Sequence, residues 1–202
     1  MINIGLIGKM GAGKTTAADI LINTRGYVPV AFAEPLKRMV IEADPLVACG
    51  GPQDRQNLAA TPMHLSDILD SGLSFEEAKR KYPEVRRSLQ RIGQGARKID
   101  PLFWVKIAQA EISTLIEYNK VPVVVTDVRY VNEADMLLNL GFTLVRVTRK
   151  PKAMTFAEGR NALHDSETSL DGYPVDVTIA NDGSLADLVD AVERIAEPMP
   201  TL

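Results

Sequence analysis

The chain has 202 residues, of which 46% are hydrophobic and 24% are charged, and its formal net charge at pH 7 is −3. This size and composition predict one sizeable globular domain and exclude wholesale disorder. Without a basic excess, a general nucleic-acid binder or a binder of anionic membranes is disfavoured. No apolar run approaches the roughly 20 residues of a membrane span. The single cysteine, Cys49, excludes an intrachain disulfide, and a soluble cytoplasmic protein is expected.

The first pattern is an apolar run, Ile2–Ile7, followed by a glycine-rich turn and a helical segment. From Gly8 to Thr15 the spacing is G-x-x-x-x-G-K-T, a phosphate-binding loop in its strand–turn–helix context. Glycines let such a loop aim its N–H groups at phosphate oxygens, a lysine supplies charge, and a hydroxyl can bind Mg²⁺. An ordinary surface turn is disfavoured because spacing and flanks agree. We predict that a nucleoside triphosphate binds at Gly8, Lys9, Met10, Gly11, Ala12, Gly13, Lys14, Thr15 and Thr16.

The next elements alternate between strand and helix. A turn is expected at Asn23–Gly26, then a strand at Tyr27–Phe32 near a sheet edge because it contains Pro29. A helix with Pro35 in its first turn follows, and residues 44–61 predict a loop. Further helical patterns cover His64–Leu69, Phe75–Lys81 and Pro83–Gly93, and another helix starts at Asp100–Pro101.

The second half of the chain opens on its strongest strand pattern, Val121–Thr126, whose β-branched run predicts burial on both faces. Strands are also expected at Phe142–Thr148 and Val175–Ala180. Asn132 and Ser184 are the predicted caps of two helices. The last helix carries an apolar stripe of Leu185, Leu188, Val189, Val192 and Ile195.

This alternation predicts an α/β fold, a three-layer doubly wound parallel sheet of about five strands. Ligands in such folds bind at the carboxyl ends of the strands. We therefore expect Gly8–Thr15, Phe32, Asp127 and Asn181 to converge at that edge.

Two residues follow the central strand pattern directly. Asp127 is placed to organise Mg²⁺ through water or to orient an acceptor, and a helix cap is the alternative. Arg129 could clamp an acceptor phosphate with its bidentate guanidinium, and a solvated arginine is the alternative.

Other candidates lie in two charged segments. Arg97 could reach a second phosphate and Gln90 a base edge, whereas core packing is expected for at least one of Phe103 and Trp104. Phosphoryl transfer needs cations around the moving group, which a closing lid could supply. Arg149 and Arg160 are favoured for this role, and a solvated basic face is the alternative. The full basic cluster is Arg146, Arg149, Lys150, Lys152 and Arg160, and His164 is interpreted as structural.

Five segments occur in order behind the phosphate loop: FAEPLKRM (32–39), LQRIGQGARKIDPLFWV (89–105), VVVTDVRYVNEAD (123–135), HDSET (164–168) and VTIANDGSLADL (177–188). Together they resemble the phage-type deoxynucleoside monophosphate kinases, which are distantly related to animal phosphomevalonate kinases. The resemblance spans nearly the whole chain. The D-V-R-x-x-N-E-A segment, with the later H-x-S-E and N-D-G elements, is far more specific than the loop.

The resemblance implies a P-loop nucleoside monophosphate kinase fold. Its core would cover 1–43, 119–150 and 174–202, with an acceptor-binding helical region at about 44–118 and a lid at about 150–172. It implies transfer of the ATP γ-phosphate, with Mg²⁺, to a deoxynucleoside 5′-monophosphate. The role would be deoxynucleotide supply for phage DNA synthesis in the host cytoplasm, by a monomer or homodimer that binds neither nucleic acid nor membrane.

The family's functional residues map onto matching positions of this sequence. The catalytic group would be Lys14, Asp127, Arg129, Arg149 and Arg160, with Thr15 and Asp127 toward the metal. The acceptor pocket would contain Phe32, Lys37, Gln90, Arg97, Trp104 and Arg129, and the adenine would be bordered by Asn181, Asp182 and Gly183.

Two other functions stay open. One is a P-loop kinase for a non-nucleotide phosphate acceptor such as phosphomevalonate. The other, a nucleotide-dependent switch, is disfavoured because Asn119–Lys120 is followed by Val121–Pro122 and not by the rest of an N-K-x-D motif. A D-x-x-G element is also missing after the central strand, since Asp127 is followed by Val128, Arg129 and Tyr130.

Overall fold

A computed structural model describes residues 1–47, 62–150 and 168–196. Its main feature is a five-stranded sheet in which every neighbouring pair is parallel. In spatial order the strands are β2 (Val28–Val30), β5 (Val123–Val125), β1 (Ile4–Ile7), β6 (Thr143–Thr148) and β7 (Val177–Ala180). In the register of the sheet, Ile4 lies opposite Val124 on one side and Thr143 on the other. The predicted parallel sheet is confirmed.

Helices cover both faces of this sheet. On one face α1 (Lys14–Arg25) and α8 (Leu185–Ala196) share a hydrophobic core with Ile4 and Leu6 of β1. On the other face α6 (Phe103–Thr114) and α7 (Val131–Asn139) share a second core with Ile7. Successive side chains of a strand point to opposite faces, so β1 feeds both cores. This arrangement confirms the three-layer α/β fold.

The chain divides into two compact units. Unit 1 comprises Met1–Phe32 and Val105–Leu202, and unit 2 is the continuous stretch Ala33–Trp104. Unit 2 has its own apolar core, which contains Val40, Val47, Ile68, Phe75 and Val85. Its elements are α2 (Ala33–Glu42), the antiparallel pair β3 (Leu46–Val47) and β4 (Met63–His64), α3 (Leu65–Asp70), α4 (Phe75–Lys81) and α5 (Pro83–Ile99). The helical region was expected at about 44–118, and the compact unit that overlaps it covers 33–104.

Three element boundaries differ from the sequence prediction in the first half of the chain. The prediction of a turn at Asn23–Gly26 was wrong, because α1 continues to Arg25. Gly26 is the residue that ends the helix, with φ 69°. The helix expected to end at Gly93 continues to Ile99. The expected loop after Asp44 contains β3, a strand too short to show periodicity.

Helix starts account for further differences. α6 begins at Phe103, and the Asp100 carboxylate accepts the N–H of Leu102 at 2.9 Å just before it. α7 begins at Val131 after the cap residue Tyr130, so the cap predicted at Asn132 was wrong. Leu185, the first residue of α8, is 64% exposed, so it does not join the buried part of the predicted stripe. In the described part of the chain, no helix is both long enough and apolar enough to cross a membrane.

Candidate active site

The phosphate loop leaves β1 at Gly8 and closes around the ammonium group of Lys14. That group donates to the carbonyl of Gly8 at 2.5 Å and to the carbonyl of Lys9 at 3.0 Å. The N–H of Ala12 also donates to the Lys9 carbonyl, at 3.1 Å. Thr15 and Thr16 lie exposed in the first turn of α1. The predicted loop thus presents a lysine and a helix N-terminus together, the combination that attracts phosphate.

A side chain added at either of two glycines of the loop would meet a close neighbour. Gly8 has φ 149°, and a Cβ built on it would lie 2.3 Å from the carbonyl oxygen of Val147. Gly13, the residue before α1, has φ 106°, and its Cβ would lie 2.2 Å from Nδ2 of Asn181. Both positions combine a conformation that L side chains rarely adopt with a close neighbour. The geometry explains why the spacing requires glycine at these two places.

Asn181 lies against the loop and not at a free edge. It follows β7, is 8% exposed, and donates its Nδ2 to the carbonyl of Ala12 at 2.9 Å. Its backbone N–H donates to the carbonyl of Thr148 at 2.8 Å. Asn181, which was predicted to border the adenine, is thus buried and hydrogen-bonded to the phosphate loop.

Asp127 and Phe32 meet at the carboxyl ends of β5 and β2, as predicted. The Asp127 Oδ1 accepts the backbone N–H of Phe32 at 2.8 Å. The ring of Phe32 is 4% exposed and belongs to the core on the α6 and α7 face. The backbone of Phe32 thus positions the aspartate, while its side chain packs in the interior.

Arg129 lies exposed in the turn after Asp127. The turn is held by Glu133, which is 1% exposed and whose Oε2 accepts the N–H of Arg129 at 2.8 Å and that of Tyr130 at 3.2 Å. A buried carboxylate is costly unless it is hydrogen-bonded, so these bonds are needed. Glu133 was missed as a functional candidate. Its signal was the capping-box spacing from Tyr130, obscured because tyrosine is not a usual cap.

The described members of the basic cluster, Arg146, Arg149 and Lys150, do not share one surface. Arg146 turns inward, and its Nη2 donates to the carbonyls of Leu170 at 3.1 Å and Tyr173 at 2.6 Å. Arg149 and Lys150 are exposed directly after β6. The remaining predicted residues lie outside the described part of the chain: Cys49, Lys152, Arg160 and His164.

Asp182 fixes the chain where it leaves β6. Its Oδ1 accepts the backbone N–H of Lys150 at 2.7 Å. Its Oδ2 lies 3.9 Å from the Nζ of Lys150. Gly183 is followed by the predicted cap Ser184, whose hydroxyl donates to Asp187 at 2.8 Å. This cap of α8 is confirmed by the return bond from the Asp187 N–H to the Ser184 hydroxyl at 3.2 Å.

Residues just before β7 make two polar contacts within unit 1 that the sequence did not suggest. Asp171 forms an ion pair with Lys9 of the phosphate loop at 3.1 Å. Tyr173 donates its hydroxyl to Asp135 of α7. Burial and then the hydrogen bond and negative charge of Asp135 raise the pKa of Tyr173 to about 12. In each of these contacts the two partners are far apart in the sequence, so no local spacing pattern could predict it.

Within unit 2, the predicted acceptor residues have distinct surroundings. Trp104 is 2% exposed and donates Nε1 to the carbonyl of Gly93 at 3.2 Å, which favours packing over substrate contact. Arg97 points toward the same carbonyl, at 3.5 Å. Lys37 is 3.5 Å from the carboxylate of Glu34 and 5.7 Å from the ring centroid of Phe75. Gln90 is exposed on α5.

A divalent cation requires oxygen ligands, and unit 1 offers two of the expected kind. Thr15 presents a hydroxyl in the first turn of α1, and Asp127 presents a carboxylate after β5. Among residues 1–47, 62–150 and 168–196, no three His, Cys, Asp or Glu side chains are grouped to hold a metal alone. Sites that bind a metal together with substrate phosphates need only one or two protein ligands. These donors fit that type of site.

Comparisons with known proteins agree with this geometry. The family model described as deoxynucleotide monophosphate kinase matches residues 53–192, more than two thirds of the chain. A candidate deoxynucleotide monophosphate kinase of Acanthamoeba polyphaga mimivirus is 28% identical over 159 residues, which are 74% of this chain and 75% of that protein. The deoxynucleotide monophosphate kinase of Escherichia phage RB69 is 30% identical, and the alignment covers 70% of this chain and 61% of that protein. The chain thus spans less than two thirds of the length of the phage relative.

A solved structure supports the fold. Dephospho-CoA kinase from Campylobacter jejuni superposes with a TM-score of 0.51 over 96% of this chain and 94% of that one, at 13% identity. This likeness shows the kinase-type α/β fold alone. The sequence match carries the assignment further, because the family model covers most of the chain. The chain belongs to the deoxynucleotide monophosphate kinase family, a family of ATP-dependent phosphotransferases.

Proposed function

We propose that the chain transfers the γ-phosphate of ATP to a deoxynucleoside 5′-monophosphate and so forms ADP and a deoxynucleoside diphosphate. The observation that carries this proposal is the loop Gly8–Thr15 wrapped around the Lys14 ammonium, at the sheet edge where Asp127 and Arg129 follow β5. Family membership supports the choice of acceptor. The phage relative supports a role in deoxynucleotide supply, which we place in the cytoplasm of the host.

Transfer in this site would be direct, from oxygen to oxygen, without a covalent intermediate on the protein. Backbone N–H groups of the loop and the Lys14 ammonium would bind the outer phosphates of ATP and stabilise charge that develops on the transferring group. Thr15 and Asp127 would hold Mg²⁺, which neutralises phosphate charge when bound. Arg129 would bind the acceptor phosphate through two parallel hydrogen bonds.

The acceptor and lid residues complete the proposal. Lys37, Gln90 and Arg97 present polar groups on α2 and α5, and we assign them to the acceptor nucleotide. Trp104 and Phe32 would support the acceptor and metal positions from the interior, because their rings are buried. Arg160, within the proposed lid at about 150–172, and Arg149, just before it, would neutralise the transferring phosphoryl group.

The test is ADP formation from ATP and Mg²⁺ with a panel of deoxy- and ribonucleoside monophosphates and phosphomevalonate. We expect turnover with one or more deoxynucleoside monophosphates. In Arg129→Ala the KM for the acceptor should rise, and turnover at a fixed acceptor concentration should be lost. Lys120→Ala, an exposed position outside the proposed site, serves as the control. Turnover with phosphomevalonate alone would assign a different acceptor. ATP binding without turnover on any acceptor would overturn the proposal in favour of a binding module.

A further inference from the structure

Asn181 is the most buried polar side chain in contact with the phosphate loop among the described residues. It is 8% exposed, and its amide donates to the carbonyl of Ala12 at 2.9 Å. Its own N–H is donated to the Thr148 carbonyl at 2.8 Å, which fixes its backbone to the end of β6. A side chain buried to this degree and already bonded to the loop presents little surface to a base.

The position of the Ala12 carbonyl decides where the next N–H group points. A trans peptide is planar, and its C=O and N–H point in opposite directions. Because the Ala12 carbonyl faces Asn181, the N–H of Gly13 is directed away from Asn181. Gly13 has no Cβ, so the amide of Asn181 can approach this peptide closely: a Cβ would lie 2.2 Å from Nδ2. The hydrogen bond therefore sets the orientation of a loop N–H group.

We propose that Asn181 is a positioning residue for the triphosphate, which acts by holding the Ala12–Gly13 peptide in its phosphate-binding orientation, and that it does not read the adenine base. The inference rests on the proposed function in one respect only, that a triphosphate binds the loop Gly8–Thr15. Its consequence is specific. Loss of the Asn181 amide weakens every ligand with a triphosphate, whatever base it carries.

The experiment measures binding of ATP, GTP and inorganic tripolyphosphate, each with Mg²⁺, by isothermal titration calorimetry. In Asn181→Ala we expect all three affinities to fall by the same factor, about three- to tenfold, the usual net worth of one hydrogen bond. Asn181→Asp keeps the side-chain volume but places an acceptor and a negative charge against the Ala12 carbonyl. All three ligands should then weaken on the order of tenfold or more. This second variant also serves if Asn181→Ala does not fold.

Ser184→Ala is the matched control, because Ser184 caps α8 from the same loop and its hydroxyl hydrogen-bonds to Asp187. It should lower the melting temperature and leave the three affinities unchanged. Weakened ATP binding with unchanged tripolyphosphate binding would overturn the inference and identify a base contact. Equal losses in Ser184→Ala would also overturn it and show a general structural effect. If triphosphates bind as expected but no acceptor is phosphorylated, the proposed function fails while this inference stands.

Discussion

The carboxylate of Asp127 accepts the backbone N–H of Phe32 at 2.8 Å, and this bond joins the residues that follow β5 and β2. The two strands are neighbours in the sheet, so the bond closes their carboxyl ends together. Asp127 therefore has a structural partner at the same place where the chemistry would use its charge. The two roles can be separated by substitution.

Asp127→Asn should separate them, because an asparagine keeps an oxygen acceptor for the Phe32 N–H but has no charge. We expect the variant to fold with nearly unchanged stability and kcat to fall on the order of a hundredfold, as when a group that stabilises transition-state charge is removed. Asp127→Ala should lose activity and also about 1–3 kcal/mol of stability, because a part-buried N–H loses its partner. Thermal unfolding and steady-state kinetics measure both effects. Full activity in Asp127→Asn would contradict the role given to its charge.

Gly13 and Gly26 flank α1 and both have positive φ, 106° and 69°. A Cβ on Gly26 would meet nothing within 4 Å, whereas on Gly13 it would lie 2.2 Å from Asn181. Gly26→Ala should therefore cost about 1–2 kcal/mol, the strain of a left-handed residue alone. Gly13→Ala should cost more and also weaken ATP binding. Chemical denaturation without nucleotide compares the two variants, and equal losses would show that the contact with Asn181 relaxes freely.

Glu133 should be essential to the turn that carries Arg129. In Glu133→Ala the N–H groups of Arg129 and Tyr130 lose their acceptor and a buried volume is emptied. We expect a loss of about 2–4 kcal/mol in the free energy of unfolding, measured by denaturant titration. Glu111→Ala, an exposed position on α6, should change stability by about 0.5 kcal/mol or less. A small loss of stability in Glu133→Ala would mean that the turn does not depend on the hydrogen bonds to Glu133.

Glu193 makes the stability of unit 1 dependent on acid. Its carboxylate accepts from the Thr24 hydroxyl and from Arg25, which ties α8 to the end of α1. These hydrogen bonds, first that from Thr24, hold the pKa of Glu193 below its ordinary value of 4.5. A lowered pKa gives stability that is present above the ordinary value and is lost as pH falls through the folded value.

The melting temperature should therefore fall less steeply in Glu193→Gln than in the native protein as the pH is lowered from about 5 to about 3. Above about pH 5 the native protein should be the more stable of the two. Glu117→Gln, at an exposed position after α6, should reproduce the native pH profile. Parallel profiles for the native protein and Glu193→Gln would show that the bonds to Thr24 and Arg25 contribute nothing to acid stability.

Local patterns were sufficient to predict the fold, because they arise from neighbours along the chain. The β-branched run at Val123–Val125 is fully buried between two strands, and the loop Gly8–Thr15 lies between strand and helix as its spacing requires. Short elements were not predicted, since a strand such as β3 has only two residues and cannot show a period. The last turn and a half of α5 was not predicted, because Gly93 and Gly95 favour an earlier end of the helix. In the structure the helix continues past Gly93, which is buried within unit 2.

The site was predictable only where its chemistry is local. Lys14 and Thr15 follow from the motif, and Asp127 from its place after a buried strand. Asn181 meets Ala12 across 169 positions, and Arg146 bonds the carbonyls of Leu170 and Tyr173 across at least 24. No spacing rule relates residues so far apart. For that reason the sequence identified Arg146 as one of a basic cluster and Asn181 as an adenine neighbour, where the structure gives both an internal partner.

The most direct test of the central claim follows the phosphate itself. ATP labelled in its γ-phosphate is incubated with Mg²⁺ and each deoxynucleoside monophosphate, and the products are separated by chromatography. We predict label in a deoxynucleoside diphosphate, and a loss on the order of a hundredfold or more in Lys14→Ala, with Lys98→Ala, exposed on α5, as the control. Label found only in inorganic phosphate, or transfer that survives Lys14→Ala, would contradict the account.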